Sequence, residues 1–251
     1  MTFPVWKPLN PLWLHPHVVF ESLAYLIGFR CYVALRQQEH DVLSDEQRLW
    51  IITAAISGAA IGSKLLHWFQ HPELFHHWRE PMVLLGGKTI VGGLLGGWLM
   101  VEWAKRCLRI TVRTGDLFAF PLALGIAIGR IGCFLSGLED HTYGLPTRLP
   151  WGIDFGDGMA RHPTQLYEIA WLMLVAAWLR RNDRRWMVGE RFQTFIVAYM
   201  GFRLIIEFLK PSDVTWIGLT AIQWACLVAL IISGRWFIAR AVPWRQGVQH
   251  G

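Results

Sequence analysis

The sequence lacks the features that divide a chain into separate structural units. It has no linker rich in serine or proline, no repeat of solenoid length and no low-complexity tract. Such features mark domain boundaries or repeat arrays. We therefore predict one domain over residues 1–251, with a structured loop at about 138–164, where turn-forming Gly, Pro and Asp are dense.

Cysteines are few and scattered, which excludes a disulfide framework and a zinc knuckle; they are Cys31, Cys107, Cys133 and Cys226. His67 and His71 are four residues apart, but no HExxH motif accompanies them. We predict no metal site and no cofactor. The first residues also lack a compact apolar core and a small-residue cleavage site, so we expect the first apolar segment to stay as an anchor.

Apolar residues are abundant, at 53% of the chain, and they fall in long blocks. Blocks of roughly 18 or more apolar residues match the length a helix needs to cross about 30 Å of hydrocarbon. The predicted fold is therefore an all-α integral membrane protein. We place about seven transmembrane helices near 18–36, 49–69, 82–104, 117–137, 165–180, 193–209 and 218–239.

The net charge of +6 is distributed as in a membrane protein, not as in a nucleic-acid-binding one. With seven spans, one side of the membrane carries five Lys and Arg residues and the other carries fourteen. Cytoplasmic loops are the basic ones. We predict an outward N-terminus, a cytoplasmic C-terminus and a multi-pass protein of the bacterial inner membrane, with the lipid bilayer and not nucleic acid as partner.

Ionisable residues gather in the outer half of the predicted spans, namely Glu21, Lys64, Lys88, Arg130, Glu168, Arg203 and Glu207. Snorkelling to the interface would explain Lys64. Tyr199, Arg203 and Glu207, spaced i, i+4 and i+8, share one helix face. We predict a polar cavity that opens to the outer leaflet, where Arg130 and Arg203 bind the phosphate of an anionic phospholipid.

Two further features have alternative interpretations. Glycine pairs at 86–87, 92–93 and 96–97 favour close helix packing, and they would also leave room for a lipid headgroup. His162, flanked by Arg161 and Pro163, is either an acid–base group or a helix-entry residue that bonds to the backbone.

Four stretches, in order, resemble the prolipoprotein diacylglyceryl transferase family: GGKTIVGGLLGG (86–97), GRIGCF (129–134), RHPTQLYE (161–168) and YMGFRLIIEFLKPSD (199–213). The resemblance covers roughly residues 18–240. It implies transfer of the diacylglyceryl group of phosphatidylglycerol to a lipobox cysteine thiol of a prolipoprotein, with release of glycerol phosphate. Such chemistry needs a stabilised phosphate leaving group, a deprotonated thiol and an aligned lipid.

The resemblance also implies site residues. Arg130 and Arg203 match the family's phosphate-handling arginines, and Glu139 approximates its acidic residue after GRIG, with one extra residue between. We predict catalytic roles for Arg130, Arg203, His162 and Glu139, and lipid contacts by Lys88, Gly92, Gly93, Cys133, Tyr199, Glu207, Arg161 and Glu21.

The chain departs from the family's pattern at three positions. Val91 stands where the family usually has His, Cys133 where it has Asn, and Glu21 where it has Tyr. Valine cannot accept a proton, so a base would have to be His162 or Glu139, or be absent. Transfer to another acceptor and a catalytically silent lipid-binding paralogue stay open. A lipid transporter is disfavoured, because no inverted repeat is visible. Acyl-chain preference and oligomeric state also stay open.

Overall fold

A computed structural model describes residues 15–38, 43–77, 79–80, 86–182, 186–212 and 215–241. Within these residues the chain forms seven α-helices: α1 Pro16–Gln38, α2 Asp45–Gln70, α3 Ile90–Cys107, α4 Asp116–Ser136, α5 Thr164–Arg181, α6 Glu190–Ile206 and α7 Ala221–Ala241. Two short antiparallel strands, β1 Ile153–Asp154 and β2 Ala160–Arg161, lie between α4 and α5. Turns of 3₁₀ helix cover Pro72–His77, Gly137–Asp140 and Glu207–Leu209.

Five of the helical segments are long and apolar enough to cross a membrane; they are Pro16–Gln38, Asp45–Gln70, Asp116–Asp140, Glu190–Leu209 and Ala221–Ile238. The helices α3 and α5 have 18 residues each and carry three charged side chains apiece. Large apolar side chains such as Tyr25, Leu26 and Phe29 point away from the bundle and are 59–71% exposed. The number of membrane crossings and the orientation of the termini stay predictions.

Six predicted blocks coincide with helices whose ends lie within four residues of the expected positions. The third block was wrong at its start, because α3 begins at Ile90 and not at residue 82. Residues 86–89 are not helical, and residues 82–85 lie outside the described part of the chain. Gly87 has a φ of 62°, which interrupts a helix, and the Lys64 ammonium donates to the carbonyls of Gly86 and Gly87.

Contacts between neighbouring helices bring particular helix ends together. The beginning of α1 meets the end of α4, and the beginning of α5 meets the ends of α4 and α6. Lys88, just before α3, pairs with Glu21 near the beginning of α1. The beginnings of α1, α3 and α5 and the ends of α4 and α6 therefore share one end of the bundle. The predicted outer ionisable residues lie there.

Glycines let α2 and α3 pack with their backbones in contact. A Cβ added to Gly62 would lie 2.4 Å from the Gly92 carbonyl oxygen and 2.7 Å from the Gly96 Cα. A Cβ added to Gly58 would lie 2.4 Å from the Gly96 carbonyl oxygen. Small residues at such crossings allow the close approach on which helix association in membranes depends.

We expect Gly62→Ala to lower the stability of the detergent-solubilised protein by at least about 2 kcal/mol, because overpacking forces α2 and α3 apart. Thermal unfolding followed by circular dichroism measures the change. Gly93→Ala is the matched control, since a Cβ there would meet its nearest atom at 3.6 Å. Equal midpoints for the two variants would contradict this account of the packing.

Candidate active site

A buried carboxylate, Glu168 in the first turns of α5, joins three helices. Its side chain is 1% exposed. The Tyr199 hydroxyl donates to Glu168 Oε1 at 2.6 Å, and Arg203 Nη1 donates to Glu168 Oε2 at 3.2 Å. Arg130 Nε on α4 lies 2.9 Å from the same Oε2. One carboxylate therefore faces two guanidinium groups, and Coulombic attraction between these groups offsets the cost of burying all three charges.

Both guanidinium groups retain unused hydrogen-bonding capacity. Arg203 Nη2 donates to Glu207 Oε2 at 2.8 Å, one helical turn further on. The Nε of Arg203 has no acceptor among the described residues, and the Nε of Arg130, although close to Glu168, forms no aligned hydrogen bond. A buried donor without an acceptor costs about 1–3 kcal/mol. The pair is therefore suited to an added anion that brings acceptor oxygens.

Lys210, just beyond the end of the Glu190–Leu209 segment, adds a third cation to this cluster. Burial, together with the nearby charges of Arg203 and Arg130, lowers the pKa of its ammonium group to about 7. Once Lys210 is protonated, this region carries three cations and the two carboxylates of Glu168 and Glu207. One phosphodiester anion would balance that excess charge.

A second polar cluster, which we name the His17 cluster, consists of His17, Cys133 and Asp140. Their three potential ligand atoms lie within 4.8 Å of one another. His17 Nδ1 lies 3.1 Å from Asp140 Oδ1 and 3.8 Å from Cys133 Sγ. Arg130 Nη1 approaches Cys133 Sγ at 3.7 Å, so the two clusters adjoin.

Glu21 and Lys88 extend the His17 cluster. Glu21 Oε2 lies 3.4 Å from His17 Nε2, and Lys88 Nζ donates to Glu21 Oε1. Glu21 therefore lies beside the His17 cluster, between the imidazole of His17 and the ammonium group of Lys88.

Two residues predicted to be catalytic, Glu139 and His162, make contacts with groups other than the two arginines. The Glu139 side chain is 77% exposed, and its Oε2 lies 3.4 Å from His15 Nε2. The next residue, Asp140, turns inward to His17, and the 3₁₀ turn Gly137–Asp140 that carries both acidic residues begins with a φ of 64° at Gly137. His162 Nδ1 lies 3.3 Å from the Tyr167 hydroxyl, and its backbone binds Gly144 and Leu145.

The remaining predicted lipid contacts are placed as follows. Arg161 pairs with Asp157 at 2.5 Å and stacks over Tyr143, and this ion pair lowers the pKa of the Asp157 carboxyl. Gly92 packs against Gly62 of α2, and Gly93 faces the same helix. In this structure, both glycines therefore serve the packing of α3 against α2.

Val91, the position where an imidazole was expected from the resemblance, is 1% exposed and belongs to the apolar core. Valine has no proton-accepting group, so this side chain cannot supply the expected base.

Sequence reasoning did not assign Glu168, His17 or Asp140 to the site. Glu168 closes the RHPTQLYE stretch, and its position inside an apolar block was the available signal. His17 and Glu21 are four residues apart at the beginning of α1, which places them on one face. Asp140 had no such signal, because its inward direction depends on the turn at Gly137.

Comparison with known proteins agrees with the sequence resemblance. A family model described as prolipoprotein diacylglyceryl transferase matches residues 4–239. The chain is 29% identical over 269 residues to the phosphatidylglycerol–prolipoprotein diacylglyceryl transferase of Bordetella bronchiseptica, covering 96% of each chain. It is 30% identical to the protein of that name from Paracidovorax citrulli, covering 96% of this chain and 97% of the relative. For that from Cupriavidus pinatubonensis the identity is 33%, over 75% of this chain and 71% of the relative.

We expect Glu168→Gln to destabilise the protein by about 3–5 kcal/mol, because it leaves two buried guanidinium groups with one remaining carboxylate. Thermal unfolding in detergent checks this expectation. The matched control is Glu73→Gln, which removes an exposed carboxylate 2.9 Å from the exposed His71 and should cost less than about 1 kcal/mol. A Glu168→Gln midpoint equal to that of the control would contradict the assigned role.

Proposed function

The chain belongs to the prolipoprotein diacylglyceryl transferase family, and we propose that it moves the diacylglyceryl group of phosphatidylglycerol to the lipobox cysteine thiol of a prolipoprotein. The acceptor sulfur, as thiolate, forms a bond to the glycerol carbon that bears the phosphate. The carbon–oxygen bond breaks, and its electron pair leaves with glycerol phosphate. The thiol proton passes to a base or to solvent.

The observation that carries this proposal is the pair of buried arginines that share one carboxylate. Arg130 and Arg203 reach Glu168 from different helices, and each has an Nε without a hydrogen bond among the described residues. Guanidinium groups bind phosphate oxygens in planar, charge-assisted pairs. Fixed in a dry site, the two cations would stabilise the charge that develops on the departing phosphate.

Tyr199 and Glu207, both predicted to contact the lipid, also position these arginines. The Tyr199 hydroxyl occupies one oxygen of Glu168, which leaves the other oxygen to the guanidinium groups. Glu207 fixes Arg203 from the next turn. His162 and Glu139 are kept as candidate proton acceptors on the loop side of the site, and Arg161, Lys88 and Glu21 as contacts to the lipid headgroup.

The membrane arrangement that fits this function has seven crossings, an outward N-terminus and a cytoplasmic C-terminus in the bacterial inner membrane. The whole chain then forms one polytopic domain. Both arginine helices end at the outer side in this arrangement, where an exported prolipoprotein presents its thiol. The 138–164 loop covers that side.

A catalytically silent, lipid-binding paralogue is the second candidate, favoured by the apolar Val91 and by Cys133. An assay distinguishes this candidate from the transferase. Purified protein is incubated with phosphatidylglycerol labelled in its terminal glycerol, once with and once without a lipobox peptide. Peptide-dependent release of glycerol phosphate, matched by peptide lipidation, supports the transferase. Bound lipid without lipidation of the lipobox peptide supports the second candidate or another acceptor.

We expect Arg130→Ala and Arg203→Ala each to lower transfer at least about 100-fold, because each removes a charge that stabilises the leaving phosphate. Turnover in proteoliposomes measures the effect, with membrane insertion assayed in parallel. Arg36→Ala, which removes an exposed partner of Asp45, should keep parental turnover. Full turnover of both site variants would exclude the phosphate role.

We also expect phosphatidylglycerol binding to weaken by several-fold as the pH rises from about 6 to about 8, because Lys210 loses its positive charge near pH 7. The protonated form attracts the anionic phosphate, so affinity is highest below the pKa. The charged groups whose fields act on the Lys210 ammonium are Arg203, Arg130, Glu168 and Glu207.

Equilibrium binding of labelled phosphatidylglycerol across this pH range tests the expectation. Lys210→Arg should flatten the profile, since arginine stays charged. Lys105→Arg, near the opposite end of α3, should retain the parental profile. A parental profile in Lys210→Arg would show that another group titrates.

A further inference from the structure

The His17 cluster combines three side chains of metal-binding type at one end of the bundle. They come from separate parts of the chain: His17 from the first turn of α1, Cys133 from the last turn of α4 and Asp140 from the 3₁₀ turn after it. Imidazole, thiolate and carboxylate together form a donor set that zinc and related divalent ions accept.

The spacing of the donor atoms matches a tetrahedral ion. Zinc bonds of about 2.0–2.1 Å to nitrogen and oxygen and about 2.3 Å to sulfur separate neighbouring ligand atoms by about 3.3–3.6 Å. The observed separations from His17 Nδ1 are 3.1 Å to Asp140 Oδ1 and 3.8 Å to Cys133 Sγ. All three donor atoms lie within 4.8 Å of one another, so a bound ion would draw the more distant ones together.

The surroundings of the His17 cluster orient its donor atoms. With Nδ1 directed at Cys133 and Asp140, His17 Nε2 lies 3.4 Å from Glu21 Oε2. Metal-binding histidines commonly donate their second N–H to a carboxylate in this way. The other oxygen of Asp140, Oδ2, accepts from the Thr142 hydroxyl at 2.6 Å, which leaves Oδ1 to face the cluster.

The backbone also maintains the approach of α1 to α4. A Cβ added to Gly132 would lie 3.0 Å from the Pro16 carbonyl oxygen and 3.1 Å from the His17 Cα. Glycine at this position therefore brings His17 against Cys133, which is itself 6% exposed. The adjacent charge of Arg130 is already paired with Glu168.

From these contacts we propose that His17, Cys133 and Asp140 bind one divalent cation of the zinc class, with a fourth coordination position open beside Arg130. Three protein ligands and an open position are the arrangement of catalytic zinc sites. The ligand set carries two negative charges once the thiol is deprotonated, which the cation neutralises. Metal binding releases that proton to solvent.

A role for the ion in the reaction rests on the proposed function. The open position would take the acceptor cysteine as thiolate, its proton leaving to solvent. The sulfur would then lie next to the arginines that bind the phosphate, in a chain that has Val91 where the resemblance leads one to expect a base. Metal binding itself requires neither lipid nor acceptor.

The test uses the full-length protein in detergent, carrying an affinity tag without histidine, stripped with chelator and titrated with Co²⁺ alone. We expect one equivalent to bind, with d–d absorption of a tetrahedral ion and a sulfur-to-cobalt charge-transfer band. Zn²⁺ should displace it. Because no substrate is present, the result is independent of transfer activity.

Matched variants locate the ion. Cys133→Ser should abolish the charge-transfer band and weaken binding at least tenfold, whereas Cys226→Ser, buried against Met200, should retain both. Glu21→Gln should weaken binding about 10- to 100-fold and retain the band. This second variant tests the site without removing the thiol, so the test does not depend on whether Cys133→Ser folds.

Three results would overturn the proposal. They are the absence of stoichiometric binding to the parent protein, a charge-transfer band that survives in Cys133→Ser, and binding that is lost only when His67 and His71 are replaced.

Discussion

The candidate site depends on one buried carboxylate that compensates two guanidinium groups. Desolvating an ion costs several kcal/mol, so Arg130 and Arg203 remain buried because Glu168 is within 3.2 Å of both. The same contact joins α4, α5 and α6 at one end of the bundle. The Tyr199 hydroxyl donates to Oε1 of Glu168 and thereby holds the carboxylate with its Oε2 directed at the two guanidinium groups. The result is a compact charged unit, and its Nε groups, which form no aligned hydrogen bond among the described residues, leave capacity for an anion.

The chain's departures from its family's pattern are understood best in relation to that unit. Val91 is packed in the apolar core, where it can neither bind a headgroup nor move a proton. Cys133 instead contacts both Arg130 and His17, at 3.7 and 3.8 Å. The chain lacks the expected imidazole and has a thiol beside a histidine and a carboxylate, which points to a changed means of handling the acceptor, while the two buried arginines are kept.

Much of this could be predicted from the sequence, and the rest depended on tertiary contacts. Long apolar blocks predict helices because a span in hydrocarbon must satisfy its own backbone, and six of the seven blocks were placed to within four residues. Arg130 and Arg203 were predicted to line a polar cavity because a charge inside a span needs a partner, and their binding of phosphate stays a prediction. The partner itself, Glu168, could not be chosen from several carboxylates without the packing of α5 against α4 and α6.

Other features could not be predicted from the sequence because they depend on backbone turns or on contacts between distant residues. Glu139 and Asp140 are adjacent, and only the backbone turn at Gly137 determines that Asp140 faces His17 while Glu139 is exposed. His17 and Cys133 are separated by 116 residues, so no local spacing could reveal their contact. The third helix began later than its hydropathy suggested, since a positive φ at Gly87 overrides an apolar run.

The position of the phosphate in a complex with phosphatidylglycerol tests the central claim most directly. A structure of the protein in lipid nanodiscs with bound phosphatidylglycerol should place phosphate oxygens within hydrogen-bonding distance, about 2.7–3.2 Å, of both Arg130 and Arg203. Glu168 should remain on the opposite side of the guanidinium groups. A phosphate bound elsewhere, with both arginines still paired only to Glu168 and Glu207, would contradict the account.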